Sequence, residues 1–306
     1  MGPTASGKSA LALKLARLLA GEIVNADAQQ IYRQWRALSN RPTPEEEARA
    51  PHHLFGHVDV WAPYSVGKWL AELAPVLSQI RARERVPILV GGTGLYFKAV
   101  TEGLAHIPPP DPEIRAGLRA RARIEDPQIL HGELAQLDPA AAALLPVHDR
   151  VRVIRALEVA LSTGRKLGEF QAQATFALLP RAQCLAIALA PPRERLYAAI
   201  DHRLPLLVAS GGLEEARAIA ALDLAADLPA LKAHGAPALF AHLRGDLRLD
   251  EALALGCRDT RHYAKRQLTW IRRFCADWLT IAEEDLDQRV AIVRRHWDAK
   301  KGTPSS

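Results

Sequence analysis

The sequence predicts an α/β fold, a parallel sheet flanked by helices and interrupted by an all-helical insertion. Three observations carry that prediction. The chain opens on Gly2-Pro3-Thr4-Ala5-Ser6-Gly7-Lys8-Ser9, which reads G-x-x-x-x-G-K-[ST], a phosphate-binding loop that opens a helix. Short apolar segments and amphipathic helices then alternate, as in sheets built from crossover-connected parallel strands. After Pro108-Pro109-Pro110-Asp111-Pro112 the alternation stops, and the sequence becomes rich in Arg, Ala and Leu without β-branched runs.

The elements follow in order. Leu11, Leu15, Leu18 and Leu19 mark one side of a helix after the loop. Glu22-Ile23-Val24-Asn25-Ala26-Asp27 reads as a strand ending in a carboxylate. Val66, Trp69, Leu70, Leu73, Val76, Leu77 and Ile80 place a helix over 65–84, and Val86–Val90 is a buried-type strand running into Gly91-Gly92-Thr93-Gly94. Helices fill Glu113 to about Phe176; Cys184–Leu189 returns the chain to the sheet, and Pro191-Pro192 starts a helix carrying Arg193, Arg195 and Arg203. The remainder reads as helical, with a stop at Gly211-Gly212, a loop at His234–Pro237 and a frayed final ten residues. The expected domains are therefore a phosphate-loop core, 1–107 with 182–306, and a helical insertion, 108–181. Such loops are fed by a central strand, and only Met1 precedes Gly2, so the sheet is expected to lack that strand, with a natural start upstream or a truncated chain.

Composition narrows the function. The 306 residues, 49% hydrophobic and 24% charged, can bury a substantial core and are neither disordered nor fibrous. No apolar run approaches membrane-spanning length and no signal peptide precedes the loop, so a cytoplasmic protein without membrane partners is expected. Cys184, Cys257 and Cys275 lie far apart, which excludes zinc-finger and disulfide scaffolds. A net charge of +6 points toward a polyanionic partner.

Successive backbone N–H groups of the opening loop suit phosphate or diphosphate, with Lys8 reaching the terminal phosphates and Ser9 a Mg²⁺ ion. Asp27, beside that loop, reads equally well as a metal-side carboxylate or as a general base. Thr93 reads first as a helix cap and second as a substrate donor. Tyr32 and Trp35 read as packing residues. Arg258, Arg261, Lys265, Arg266, Arg272 and Arg273 form one basic stripe, and Arg150, Arg152 and Arg155 another, a pattern suited to RNA. His52, His53 and His57 lack a completing ligand for a metal and are placed on a loop and RNA-side surface.

Taken together these residues resemble the tRNA dimethylallyltransferase family, also called IPP transferases. The resemblance runs through the opening loop, Asn25-Ala26-Asp27 to Ile31-Tyr32-Arg33, Pro51-His52-His53-Leu54 and Tyr64-Ser65. It continues in Val90–Lys98, Asp149 with Arg152, Arg155–Glu158, and Thr260-Arg261 with Ala264–Trp270. It implies transfer of a dimethylallyl group from dimethylallyl diphosphate to N6 of adenosine 37 in tRNAs reading codons that start with U. By resemblance Asp27 and Thr93 are catalytic, and Gly2, Pro3, Thr4, Ala5, Ser6, Gly7, Lys8, Ser9 and Arg203 hold the diphosphate, with Mg²⁺ at Ser9. Asp27, Ala28, Gln29, Gln30, Thr93, Arg115, Val151, Arg152, Val153, Ile154, Arg155, Lys232, His234 and Gly235 match tRNA-contacting positions. The insertion is expected to clasp the anticodon stem-loop, and the protein to act as a monomer. Four stretches depart from the family pattern: Ala28 replaces the usual Ser, Leu38–Pro42 replaces G-T-A-K-P, Phe55–Asp59 lacks the usual acid after the leucine, and His234–Pro237 lacks a tyrosine. A small-molecule or nucleotide kinase is the competing reading, since it shares the loop and the strand-end aspartate.

Overall fold

The computed structural model describes residues 1–173, 175–226 and 228–302. Two compact units result, residues 1–101 with 178–306 and residues 102–177, so the boundaries fall a few residues from those expected.

In the first unit, helix α1 (Lys8–Leu18) leaves the opening loop and strand β1 (Gly21–Asn25) follows, buried along its whole length. Strand β2 (His52–His53) and strand β3 (Val86–Val90) flank β1, both parallel to it, in the order β2-β1-β3. Helices α2 (Pro44–Glu47), α3 (Val66–Ala82) and α4 (Gly94–Glu102) make the connections. The apolar period of α3 buries Trp69, Leu73, Leu77 and Ile80 against Val24 and Ala26 of the sheet side. Trp69 stacks on Tyr96 with ring centroids 4.4 Å apart and donates its indole N–H to the Asn25 carbonyl at 2.9 Å. Both faces of α1 are covered: Ala12, Leu13 and Ala16 pack with Ile23 and Val90, while Leu11 and Leu15 pack with Leu189, Ile281 and Val293.

The expected Cys184–Leu189 strand is shorter, β4 (Ile187–Leu189), and pairs in parallel with β5 (Leu279–Ile281), a strand the sequence reading took for helix. The chain's first residues tie the two sheets together, and Ile88 of β3 packs in one cluster with Leu189 and Ile281. Met1 accepts from Leu189 N at 2.9 Å and donates its ammonium to the Ile187 carbonyl at 2.8 Å, while Gly2 N donates to the Gly91 carbonyl at 3.2 Å. A strand position between β3 and β4 is thus occupied by these two residues alone among those described. The last helices surround this frame in unit 1.

Helix α10 (Arg193–Leu207) runs up to the expected stop at the Gly211-Gly212 pair, where Ser210 and Gly211 leave helical φ/ψ. It kinks there, Gly211 taking a φ of 116°, and continues as α11 (Leu213–Ala220). Gly235 closes the expected loop with a φ of 84° and opens α12 (Ala236–Leu243), which already contains Pro237. The long α13 (Leu249–Phe274) buries Ala252, Gly256, Cys257, Thr260, Ala264, Gln267 and Ile271 and leaves Arg258, Lys265, Arg266, Arg272 and Arg273 exposed. Instead of fraying, the chain forms α14 (Leu286–Gly302), anchored by Val293 in the core; residues 303–306 lie outside the described residues. No described helix is long and apolar enough to cross a membrane.

The second unit is helical, as its composition predicts: α5 (Pro112–Ile124), α6 (Pro127–Leu137), α7 (Pro139–Leu144), α8 (Arg150–Thr163) and α9 (Leu167–Gln171). Asp111, Asp126 and Asp138 each cap a helix whose first residue is proline, so side chain and fixed φ start the helix together. Leu118, Leu130, Leu134, Val153, Ala156 and Leu157 form its core. Its two ends meet, the Thr175 hydroxyl donating to the Glu102 carbonyl at 2.6 Å. Truncation of Trp69 to Ala, which empties a fully buried ring and orphans the Asn25 carbonyl, is expected to cost about 3–5 kcal/mol in urea unfolding; a loss below about 1 kcal/mol contradicts this account of the core.

Candidate active site

The opening loop wraps tightly, Ser6 N donating to the Pro3 carbonyl at 3.3 Å and Leu11 N to the Gly7 carbonyl at 3.2 Å. Its amide donors converge where α1 begins, so loop and helix end together present partial positive charge. Lys8 folds back over the loop, its ammonium donating to the Pro3 carbonyl at 3.3 Å. Arg203, from α10, donates to the Thr4 hydroxyl.

Asp27 lies just past β1 and is 8% exposed. Its Oδ1 accepts from Gln29 N at 3.0 Å and its Oδ2 from Gly92 N at 3.2 Å, and Asn25 Oδ1 accepts from Asp27 N at 2.9 Å. The Gly-rich turn after β3 is sterically enforced: a Cβ on Gly91 would lie 2.0 Å from the Ala26 carbonyl oxygen. Thr93 does not use its hydroxyl to cap α4. The oxygen accepts from Ala28 N at 2.9 Å, tying the turn to the Asp27 loop.

Two residues without an assigned role complete this arrangement. Gln267 of α13 accepts from Thr4 N and donates to the Gly92 carbonyl, both at 2.9 Å, so one carboxamide bridges the phosphate loop and the turn that holds Asp27. Tyr263, one turn earlier, places its hydroxyl beside Thr93 and Gln267, and burial raises its pKa. Tyr263 also packs on His234 with centroids 4.1 Å apart, and Arg266 lies over its ring at 5.5 Å. The spacing Tyr263, Arg266, Gln267 on one helix face was the available signal; the partners lie more than 170 residues away in the chain.

Electrostatics bind the group together. Burial lowers the Lys8 ammonium to about 8; the Asp27 carboxylate opposes that shift and Arg203 adds to it. Burial likewise lowers Arg203, against Asp27. The His234 imidazole is lowered to about 4 by burial, with Asp27 opposing and Arg203, Lys8 and Arg266 adding, so it is neutral at pH 7. The structure therefore brings Asp27, Thr93, Lys8, Arg203, His234 and the loop into one site.

Other expected site residues are used differently. Gln30 spends its amide on the Ser39 and Asn40 carbonyls, at 3.0 and 2.6 Å, which holds the turn at those residues. Ala28 packs against the sheet core, and Gln29 is half-buried with its Oε1 unpartnered. Val153 lies in the core of the second unit and Ile154 packs against it, because helical spacing points them inward; Val151, 74% exposed, and Arg152 face solvent. Within that unit Arg115, Arg119 and Arg155 gather 3.4–3.8 Å from the buried Glu158 carboxylate. Lys232 is exposed at the end of a 3₁₀ turn, and Gly235 is buried at the start of α12. The three histidines are half-buried and bonded within the protein: His52 bonds the Ala50 carbonyl, His53 the Glu22 carboxylate at 2.7 Å, and His57 the Glu72 carboxylate at 2.8 Å. Trp35 and Tyr32 are fully buried packing residues, as expected.

No group of three or more His, Cys, Asp or Glu side chains suited to a metal exists among the described residues. Oxygen donors are nonetheless at hand in the half-buried Ser9 hydroxyl and the loop's phosphate site, which suits Mg²⁺, an ion that takes much of its coordination from substrate phosphates.

A parallel α/β core with a phosphate loop and a buried carboxylate beside it defines a P-loop-type enzyme that acts on a phosphorylated substrate. The chain belongs to the IPP transferase family, whose model matches residues 30–274. It is 50% identical over 286 residues to the tRNA dimethylallyltransferase of Rhodopseudomonas palustris strain CGA009, covering 94% of this chain and 89% of that one. The enzyme of the same name from Nitrobacter hamburgensis is 49% identical over 292 residues, 95% of this chain and 92% of its own. The crystal structure of the full-length tRNA isopentenylpyrophosphate transferase of Bacillus halodurans superposes with a TM-score of 0.71 at 32% identity, covering 98% of this chain and 94% of that one.

The Lys8 shift has a pH signature. Below about 8 the ammonium is charged and attracts an anion; as pH rises through 8 in the free protein, affinity for a prenyl diphosphate is expected to fall by up to about tenfold per unit until the bound-state pKa is reached. Isothermal titration from pH 7 to 10 checks this, with Lys8→Met flat as control, and a flat wild-type profile removes Lys8 from the anion site.

Proposed function

We propose that this chain is a tRNA dimethylallyltransferase, passing the dimethylallyl group of dimethylallyl diphosphate to N6 of adenosine 37 in tRNAs that read codons starting with U. The observation that carries the reading is the hydrogen-bonded link from Thr4 through Gln267 and Gly92 to Asp27, which holds a carboxylate at a fixed place relative to a phosphate loop. The names of the relatives favour the same reaction, and they lend the competing kinase reading no support.

The chemistry follows from the residues. The loop amides of Gly7, Lys8 and Ser9, with the Lys8 ammonium and Arg203, bind the diphosphate and stabilise the negative charge that develops on it as it leaves. The N6 nitrogen attacks C1 of the allylic chain, a C–N bond forms, and the C–O bond to diphosphate breaks with its electron pair departing on oxygen. Asp27 accepts the N6 proton, and the Gln29 and Gly92 amide donors hold its carboxylate aimed. Thr93, held by Ala28 beside Tyr263, orients the adenine. The Ser9 hydroxyl would help hold a Mg²⁺ ion, which would supply charge neutralisation to the leaving diphosphate. The target base reaches this site by leaving the anticodon-loop stack, which is cheap for a single-stranded loop. Arg115, Arg152 and Arg155 of the helical unit, with Lys232 and the basic face of α13, supply phosphate contacts to the RNA. We place the enzyme in the cytoplasm and assign it as a monomer.

Incubation of the protein with Mg²⁺, dimethylallyl diphosphate and unmodified tRNA, followed by nucleoside mass spectrometry, is expected to yield adenosine heavier by one five-carbon unit; phosphorylated product from ATP instead overturns the proposal. Asp27→Asn is expected to lower kcat by about 10²-fold or more with tRNA affinity nearly unchanged, and unchanged single-turnover rates remove Asp27 as the base.

A further inference from the structure

Arg289 stands in the first turn of α14, beyond residues 30–274 that match the family. It is 5% exposed. Its Nη1 donates to the Ser6 carbonyl at 2.8 Å and its Nε to the Glu283 carbonyl. The described residues give it no carboxylate partner; the nearby Asp285 carboxylate caps the helix by accepting from Gln288 N at 2.8 Å. A guanidinium cannot shed its charge, so burying one against carbonyls alone is costly, and charges this deep in a protein are normally paired.

The position of the charge gives that cost a purpose. The Ser6 carbonyl and the Gly7 N–H belong to one peptide unit, and Gly7 is the residue before α1, where loop amides face the anion. A cation bonded to the carbonyl polarises that N–H and strengthens it as a donor. Gly7 itself has a φ of +79°, and a Cβ there would come within 2.7 Å of Arg289 Nη1. The approach from α14 therefore requires the glycine as much as the turn does. Helix α14 is held in place independently, by Val293 in the core and by the Lys14–Asp287 ion pair at 2.7 Å.

We propose that Arg289 is a positioning residue of the diphosphate site, a permanent buried cation behind the Ser6–Gly7 peptide whose counter-charge is the bound diphosphate. The proposal rests on reading the opening loop as a diphosphate site. Binding of inorganic diphosphate with Mg²⁺, by calorimetry well below the melting temperature, tests it. Arg289→Met is expected to weaken binding about tenfold and to raise the KM for prenyl donor, while affinity for an anticodon stem-loop RNA stays unchanged. Arg289→Lys, which keeps the charge but loses one carbonyl bond, is expected to weaken it about threefold and carries the test if the Met variant does not fold. A merely structural arginine lowers the melting temperature and leaves the dissociation constant alone, and that result in either variant overturns the proposal. Failure of the wild-type protein to bind diphosphate instead falls on the reading of the loop.

Discussion

A single buried carboxamide holds the site to its geometry. Gln267 gives its oxygen to the Thr4 amide and its N–H to the Gly92 carbonyl, and Gly92 in turn donates to Asp27. A transfer in which the leaving group gains negative charge while the base is neutralised needs the two held at a set separation, and small misplacements are costly in rate. Here the two come from different segments, the opening loop and the end of β1, which share no ladder hydrogen bond of their own. A side chain from α13, far along the chain, supplies the tie, and its burial keeps water from competing for the same groups.

Charge in the site is arranged with matching economy. Lys8 and Arg203 both lie where burial disfavours their charge, and the Asp27 carboxylate restrains the shift in each. His234 is shifted the same way, by burial first and then by neighbouring cations, far enough to be neutral, so it contributes a flat polarisable ring beside Tyr263 and no net charge. The neutral ring adds no charge of its own to the cations that face the anion.

What could be read from the sequence was what is encoded locally. The phosphate loop, Asp27 at a strand end, the buried period of α3 and the helical character of the insertion each depend on neighbours within a few residues, and all took their expected form. The misses share a different cause. Strand β5 has three residues and is defined only by its pairing with β4. Thr93 looked like a cap because it precedes a helix, but its hydroxyl is claimed by Ala28 from another loop. Val153 and Ile154 sat within a matched segment whose helical turn points them inward. Gln267, Tyr263 and Arg289 act through partners 170 to 283 positions away, a relation that no local pattern announces. For α14 the signal existed: Leu286, Arg289, Val290 and Val293 repeat at helical spacing.

The meeting of Thr175 with Glu102 has a consequence for how this architecture can change. In the first unit, too, the flanking segments touch, Leu179 N donating to the Val100 carbonyl at 2.9 Å. A module whose entrance and exit coincide can be enlarged, trimmed or exchanged without rerouting the chain beneath it. Evolution is then free to refit the helical attachment while the phosphate-loop chassis is inherited intact.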